Sequence, residues 1–299
     1  MPIVANRKIF YAISIILVLA SVVSVAVWGL KPSIDFTGGT LIEVHYEGTR
    51  PDQSAVISAI SAIDPAASIR PSGTDEYIVR MKSIDENEKT AVAGALSLGG
   101  TASSTEKSFD SIGPVLGAEA LRKAVVSIIL VILGIVLYIT FAFRKVSEPV
   151  SSWKYGLIAV VALLHDVAIP LGAFAALGHF AGYEVDTLFV TALLVILGFS
   201  VHNVIVVFDR VRENLRVNRG SKSFEYVVGE SVSQTFTRSM NTSATVIFSL
   251  IALYILGGLV TEHFTLALII GISAGTFSSV FISSPLLVTI EKLQGKKKK

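Results

Sequence analysis

The chain has no cysteine among its 299 residues. That excludes disulfides, thiolate metal sites and cysteine nucleophiles. Charge is also scarce: Asp, Glu, Lys and Arg make up 16% of the chain, and the net charge is only +2. Without a global basic field, no nucleic-acid partner is expected. The sequence contains no His-Glu-x-x-His metal pair and no Gly-x-Ser-x-Gly nucleophile turn. No enzymatic activity, metal or cofactor is expected.

What the chain has instead is long hydrophobic runs. Hydrophobic residues make up 52% of it, and its mean hydropathy is +0.67. A bilayer-spanning helix needs about 20 mainly apolar residues. Six runs qualify: Ile9–Leu30, Ala124–Phe143, Tyr155–Leu177, Asp186–Phe208, about Met240–Val260, and Phe264–Leu287. Ser24-Val-Ala26 has the small-x-small form of a signal-peptide cleavage site. The run that carries it exceeds the ~7–15 apolar residues of a signal peptide, so an uncleaved anchor is expected.

The expected organisation is residues 1–30 as N-terminus and first span, 31–123 as a folded domain, 124–290 as spans two to six, and 291–299 as a basic tail. Residues 209–239 form a polar connector inside the fourth segment. Its Phe224, Val227, Val228 and Val232 fit an interfacial amphipathic helix or an ordinary loop helix.

In 31–123, Leu41–Tyr46 alternates as a half-buried strand does. A helix follows from Pro51 to about Ile63, then strand candidates at Ser68–Arg70 and Tyr77–Met81. Ser83-x-x-Glu86 reads as a capping box for a helix over Asp85–Leu98, stopped at Gly99-Gly100. Thr105–Ile112 is the last strand. The order strand, helix, strand, strand, helix, strand predicts a ferredoxin-like α+β domain.

Charge sets the expected orientation. An even number of spans places both termini on one side, and the short segments there carry sixteen Lys and Arg, including Arg144, Lys145, Arg219 and Lys296–Lys299. The two short loops on the other side carry none. The positive-inside rule makes both termini cytoplasmic and the 31–123 domain extracytoplasmic.

Polar residues inside the apolar runs are the candidate functional groups, because polar groups at membrane depth are costly and rarely face lipid. The fourth run continues into Gly198–Asn214, which places Ser200, His202 and Asn203 before leaving through Asp209, Arg210, Arg212 and Glu213. The third carries His165 and Asp166. Asp166 lies 11 residues from Tyr155, roughly 16 Å at the helical rise. It reads either as a structural polar contact or as a group that handles protons. Adjacent helical residues point to different faces, so His165 and Asp166 are not expected to pair. Arg238, at the start of the fifth run, either snorkels or meets a carboxylate, carbonyls or water. In the sixth run, Gly271, Gly275, Ser279 and Ser283 recur every four residues, a ladder suited to close helix packing; a partner subunit is its expected neighbour.

Several motifs recur together. Asp35-Phe-Thr-Gly38-Gly39-Thr40, Gly113-Pro-Val-Leu-Gly117, Leu164-His-Asp166, Gly198-Phe-Ser with Val-Val-Phe-Asp209-Arg-Val-Arg-Glu-Asn214, Gln234-Thr-Phe-Thr-Arg238, Gly257-Gly258 and Gly275-Thr-Phe-Ser-Ser279 stand in this order. Their order and spacing resemble the SecD/SecF family of protein-export membrane subunits, on its SecF side. The resemblance implies half of a twelve-helix unit of the resistance-nodulation-division type. It implies SecD, the SecYEG translocon, YajC and a preprotein in transit as partners, and a bilayer as surroundings. The implied activity is coupling of the proton-motive force to preprotein translocation. Arg238 matches the family arginine placed with the intramembrane proton carriers. The sequence departs from the family at its centre, with Phe199, His202, Asn203 and Val204 where the family has Tyr, Asn, Asp and Thr. The family's titratable aspartate thus falls on Asn203. Either His202 titrates instead, or the partner subunit supplies the only titrating carboxylate. The alternative reading is an independent transporter of the same superfamily, for small molecules or lipids, acting as a homo-oligomer.

Overall fold

The computed structural model describes residues 2–143, 151–218 and 221–297. Arg144, Lys145, Arg219, Lys298 and Lys299, used in the charge count, lie outside the described residues. In chain order the elements are α1 (Pro2–Ala5), α2 (Arg7–Trp28), α3 (Ile34–Thr37), β1 (Gly39–Tyr46), α4 (Gln53–Ser61), β2 (Ser68–Ser72), β3 (Glu76–Met81), α5 (Glu86–Leu96), β4 (Ser104–Ile112), α6 (Pro114–Ala142), α7 (Ser152–Phe180), α8 (Thr187–Asn218), α9 (Phe224–Leu256), α10 (Leu259–Ser278), a π-helical turn (Ser279–Ser283) and α11 (Ser284–Lys297). Two compact units result: residues 1–31 with 126–299, and residues 32–125.

The smaller unit is the expected α+β domain. Its antiparallel sheet has the order β2-β3-β1-β4, as a split βαββαβ chain requires. The alternation of β1 buries Ile42, Val44 and Tyr46, and that of β3 buries Tyr77, Val79 and Met81. Helices α4 and α5 close this face with Val56, Ile60, Val92 and Leu96. Tyr46 donates its hydroxyl to the Leu96 carbonyl at 3.0 Å, and burial pushes its phenol up to about 12. The capping box of α5 is not Ser83-x-x-Glu86. Asp85 is the N-cap and Glu88 the reciprocating N3 residue. Two overlapping acidic registers fit the same motif, and the aspartate two residues later wins the cap.

The two glycine motifs of this unit meet. Gly38 and Gly39 have φ of +71° and +129°, conformations that side chains disfavour. A Cβ on Gly38 would lie 2.7 Å from Pro114 Cα, and one on Gly117 would lie 2.7 Å from Gly38 N. Segments 35–40 and 113–117 thus approach backbone to backbone.

The larger unit contains six helices long and apolar enough to cross a membrane, by length and composition. Its core joins Ile139, Phe143, Tyr155, Ile158, Leu197, Val204, Phe208, Val228, Val280 and Leu287. Small residues bring α2 onto α7. A Cβ on Gly172 would collide with Ser21 Cα, and Ser24 donates to the Gly172 carbonyl at 2.7 Å.

Three sequence expectations change here. The connector segment 224–232 is not a separate interfacial helix. It is the first part of α9, with Phe224, Val228 and Val232 in the bundle core. The sixth span is not one regular helix, because the π turn interrupts it at Ser279–Ser283. The small-residue ladder faces inward rather than a partner subunit. A Cβ on Gly271 would collide with Ile196, one on Gly275 would lie 3.2 Å from Ser200 Cβ, and Ser279 and Ser283 are fully buried.

Candidate intramembrane site

Asp166 sits midway along α7, 14 residues from Phe180, about 21 Å from that end, and is fully buried. Its Oδ2 accepts hydrogen bonds from Ser200 Oγ of α8 and, at 2.8 Å, from Ser278 Oγ of α10. Its Oδ1 lies 2.8 Å from His165 Nδ1. The adjacent pair therefore does meet, against the sequence expectation. About 100° of rotation separates neighbouring helix positions, but both side chains are long enough to turn toward each other. Burial, which leaves neither polar group a water partner, favours that turn.

Local backbone chemistry marks the site twice. Pro170 lacks the N–H that would bond the Asp166 carbonyl in a regular helix. The π turn begins directly after Ser278, a distortion frequent at functional sites. Gly275 leaves room beside the carboxylate, since a Cβ there would stand 3.5 Å from Asp166 Oδ2. Ser278 is the partner that sequence reading passed over. The four-residue ladder drew attention to Ser279, whereas the polar pair Ser278-Ser279 in an apolar run was the available signal.

The remaining sequence candidates separate into three places. Asn203 is one turn beyond Ser200 on α8 and 2% exposed, and its side-chain Nδ2 has no hydrogen-bond partner among the described residues. His202 on α8 and Arg238 on α9 are both exposed on the bundle surface. His202 lies 15 residues from Thr187 and Arg238 lies 18 from Leu256, about 22 and 27 Å along their helices, within a hydrocarbon layer of about 30 Å. Neither is brought to Asp166. Further along α8, Asp209 pairs with Arg212 and Arg210 pairs with Glu213 at 2.6 Å. Arg210 also donates to Gln234 Oε1 at 2.6 Å, and Asn214 Nδ2 donates to Ser231 Oγ at 2.9 Å. These bonds fasten α8 to α9.

Comparison with known proteins decides what this bundle belongs to. The family model "Protein export membrane protein SecD/SecF, C-terminal" matches residues 95–293, and "SecD/SecF GG Motif" matches residues 23–49. The protein translocase subunit SecF of Thermobaculum terrenum is 42% identical over 97% of this chain and 93% of its own length. The SecF of Anaerolinea thermophila is 35% identical over 97% and 94%. The chain belongs to the SecF family. Its fold is similar to a crystal structure of SecDF from Thermus thermophilus, described as a translocon-associated membrane protein. The TM-score is 0.83 at 29% identity, covering 98% of this chain and 38% of that one. The glycine contact between segments 35–40 and 113–117 therefore falls on a recognised SecD/SecF motif.

Proposed function

We propose that this SecF-family chain works as one half of a SecD–SecF unit that couples the proton-motive force to preprotein movement through SecYEG. The observation that carries this reading is the exposed polar face of α8 and α9. His202, Arg238, Thr237, Asn241 and Thr245 are exposed on helices of membrane-spanning length. Lipid tails offer a guanidinium or an imidazole no hydrogen bonds. A second helical half, carrying a carboxylate opposite Arg238, supplies what lipid does not. Asn203 is buried and takes up no proton near neutral pH, so the carboxylate opposite Arg238 is assigned to SecD. Both termini are cytoplasmic and residues 31–123 extracytoplasmic, as the charge asymmetry directs.

The test is preprotein export in membranes depleted of the native SecF and supplied with this chain. The expected result is restored export that an uncoupler reduces to the depleted level. Restored export that is insensitive to the uncoupler would refute proton coupling.

A further inference from the structure

We propose that the proton-binding atom of this chain is His165 Nε2, with Asp166 as its fixed counter-charge. The inference deepens the reading of the chain as a proton-driven export subunit and moves its titrating group away from position 203. Asp166 already accepts from two hydroxyls and faces His165 Nδ1. A carboxylate with three donors around it is satisfied as the anion, and this assigns the Nδ1 proton to the imidazole. Nε2 is then the one position of the group where a proton can be added or removed. It is buried and has no hydrogen-bond partner among the described residues.

His165 also lines a cavity of about 400 Å³ with Leu17 of α2, Ile169 of α7, and Ile269, Ala274 and Phe277 of α10. The cavity borders the imidazole, while Nε2 itself is buried from it. The cavity wall is almost wholly apolar, so water enters it only transiently. Adding a proton at Nε2 turns a neutral imidazole beside a carboxylate, net charge −1, into an imidazolium–carboxylate pair of net charge zero. Removing it restores the −1 state, and no other bond changes. In a medium where a net charge is costly, the two states differ in what the surrounding helices tolerate. The site is formed where α7 is missing a backbone hydrogen bond at Pro170 and α10 gives way to the π turn.

Among the described residues of the helices packed against it, no other charge balances the pair. Ile9–Trp28 of α2, Thr187–Phe208 of α8, His263–Ser278 of α10 and the π turn contain no Lys, Arg, Asp or Glu. Their titratable groups are Tyr11, whose hydroxyl meets Thr289 Oγ1 at 3.0 Å, the exposed His202, and His263, stacked on Tyr183. Glu291 and Lys292 lie on α11, more than two turns beyond the π turn.

The experiment is nitrogen NMR of the full chain, labelled at histidine, in lipid bilayers between about pH 8 and 5, the range of imidazole titration. Sequential correlation through labelled Leu164 and Asp166 assigns His165 in the wild-type chain, without a variant. The expected result is a reversible shift of His165 Nε2 from its unprotonated to its protonated position, with Nδ1 protonated throughout. His165 fixed in one protonation state across the range would overturn the proposal. So would a proton that appears on Asp166 while His165 stays neutral. Neither result depends on export, so uncoupler-insensitive export alongside a titrating His165 would refute the functional reading and leave this site standing.

Discussion

Asp166 and Arg238 are both ionisable residues on membrane-spanning helices of one bundle, and their surroundings differ completely. Asp166 is fully buried, with three partners from its own chain. Arg238 is exposed on α9, and His202 is exposed on α8. The first arrangement is closed: the Asp166 carboxylate finds its partners on α7, α8 and α10 alone. The second is open: neither residue has a hydrogen-bond or ion-pair partner among the described residues. The comparison teaches where the chain ends as a physical unit. A polar residue satisfied internally holds the bundle together, and the ones left on the surface are where we propose the boundary shared with SecD.

Breaking the closed site should have the largest effect on the chain itself. Asp166→Ala removes the acceptor of two hydroxyls and the partner of His165. Two interhelical hydrogen bonds are lost, and such bonds in membranes average about 0.6 and reach about 1.7 kcal/mol each, so the expected loss is about 1–3.5 kcal/mol in reversible unfolding from mixed micelles. A change below 0.5 kcal/mol would mean that the site is not structurally closed. Next comes the α2–α7 contact, where overpacking costs about 1–3 kcal/mol. Gly172→Val places its side chain against Ser21 Cα, and the same unfolding assay should register the displacement. Smallest in this assay is the open face. Arg238→Ala with His202→Ala should change the stability of the isolated chain by no more than about 0.5 kcal/mol, as surface substitutions do. A larger loss would show that these residues have internal partners and would erase the distinction.

Much of this architecture is legible in the sequence. Six apolar runs correspond to the six helices of spanning length, and the two-residue alternation in Leu41–Tyr46 picks out the buried Ile42, Val44 and Tyr46. Hydrophobic periodicity reports burial directly, so these features were readable. The closed site was only half readable. Asp166 and Ser200 stood out as polar residues in apolar runs, but their contact joins residues 34 positions apart. That of Ser278 with Asp166 spans 112 positions. Such pairings depend on how α7, α8 and α10 pack, which no local pattern encodes. The direction of the small-residue ladder was hidden for the same reason. Spacing announces that a helix face is narrow, but not which neighbour approaches it. The open face was legible as chemistry, since His202 and Arg238 were singled out, but burial and exposure look alike in an amphipathic stretch until the helices are assembled.

The most direct test of the division between closed site and open face is affinity purification of the tagged chain in mild detergent, with its companions identified by mass spectrometry. The wild-type chain should carry a SecD-like subunit. The Arg238→Ala, His202→Ala double variant should lose at least tenfold of it while its own melting temperature stays unchanged. A wild-type chain recovered only with further copies of itself would contradict the account, as would a double variant that retains the SecD-like subunit in full.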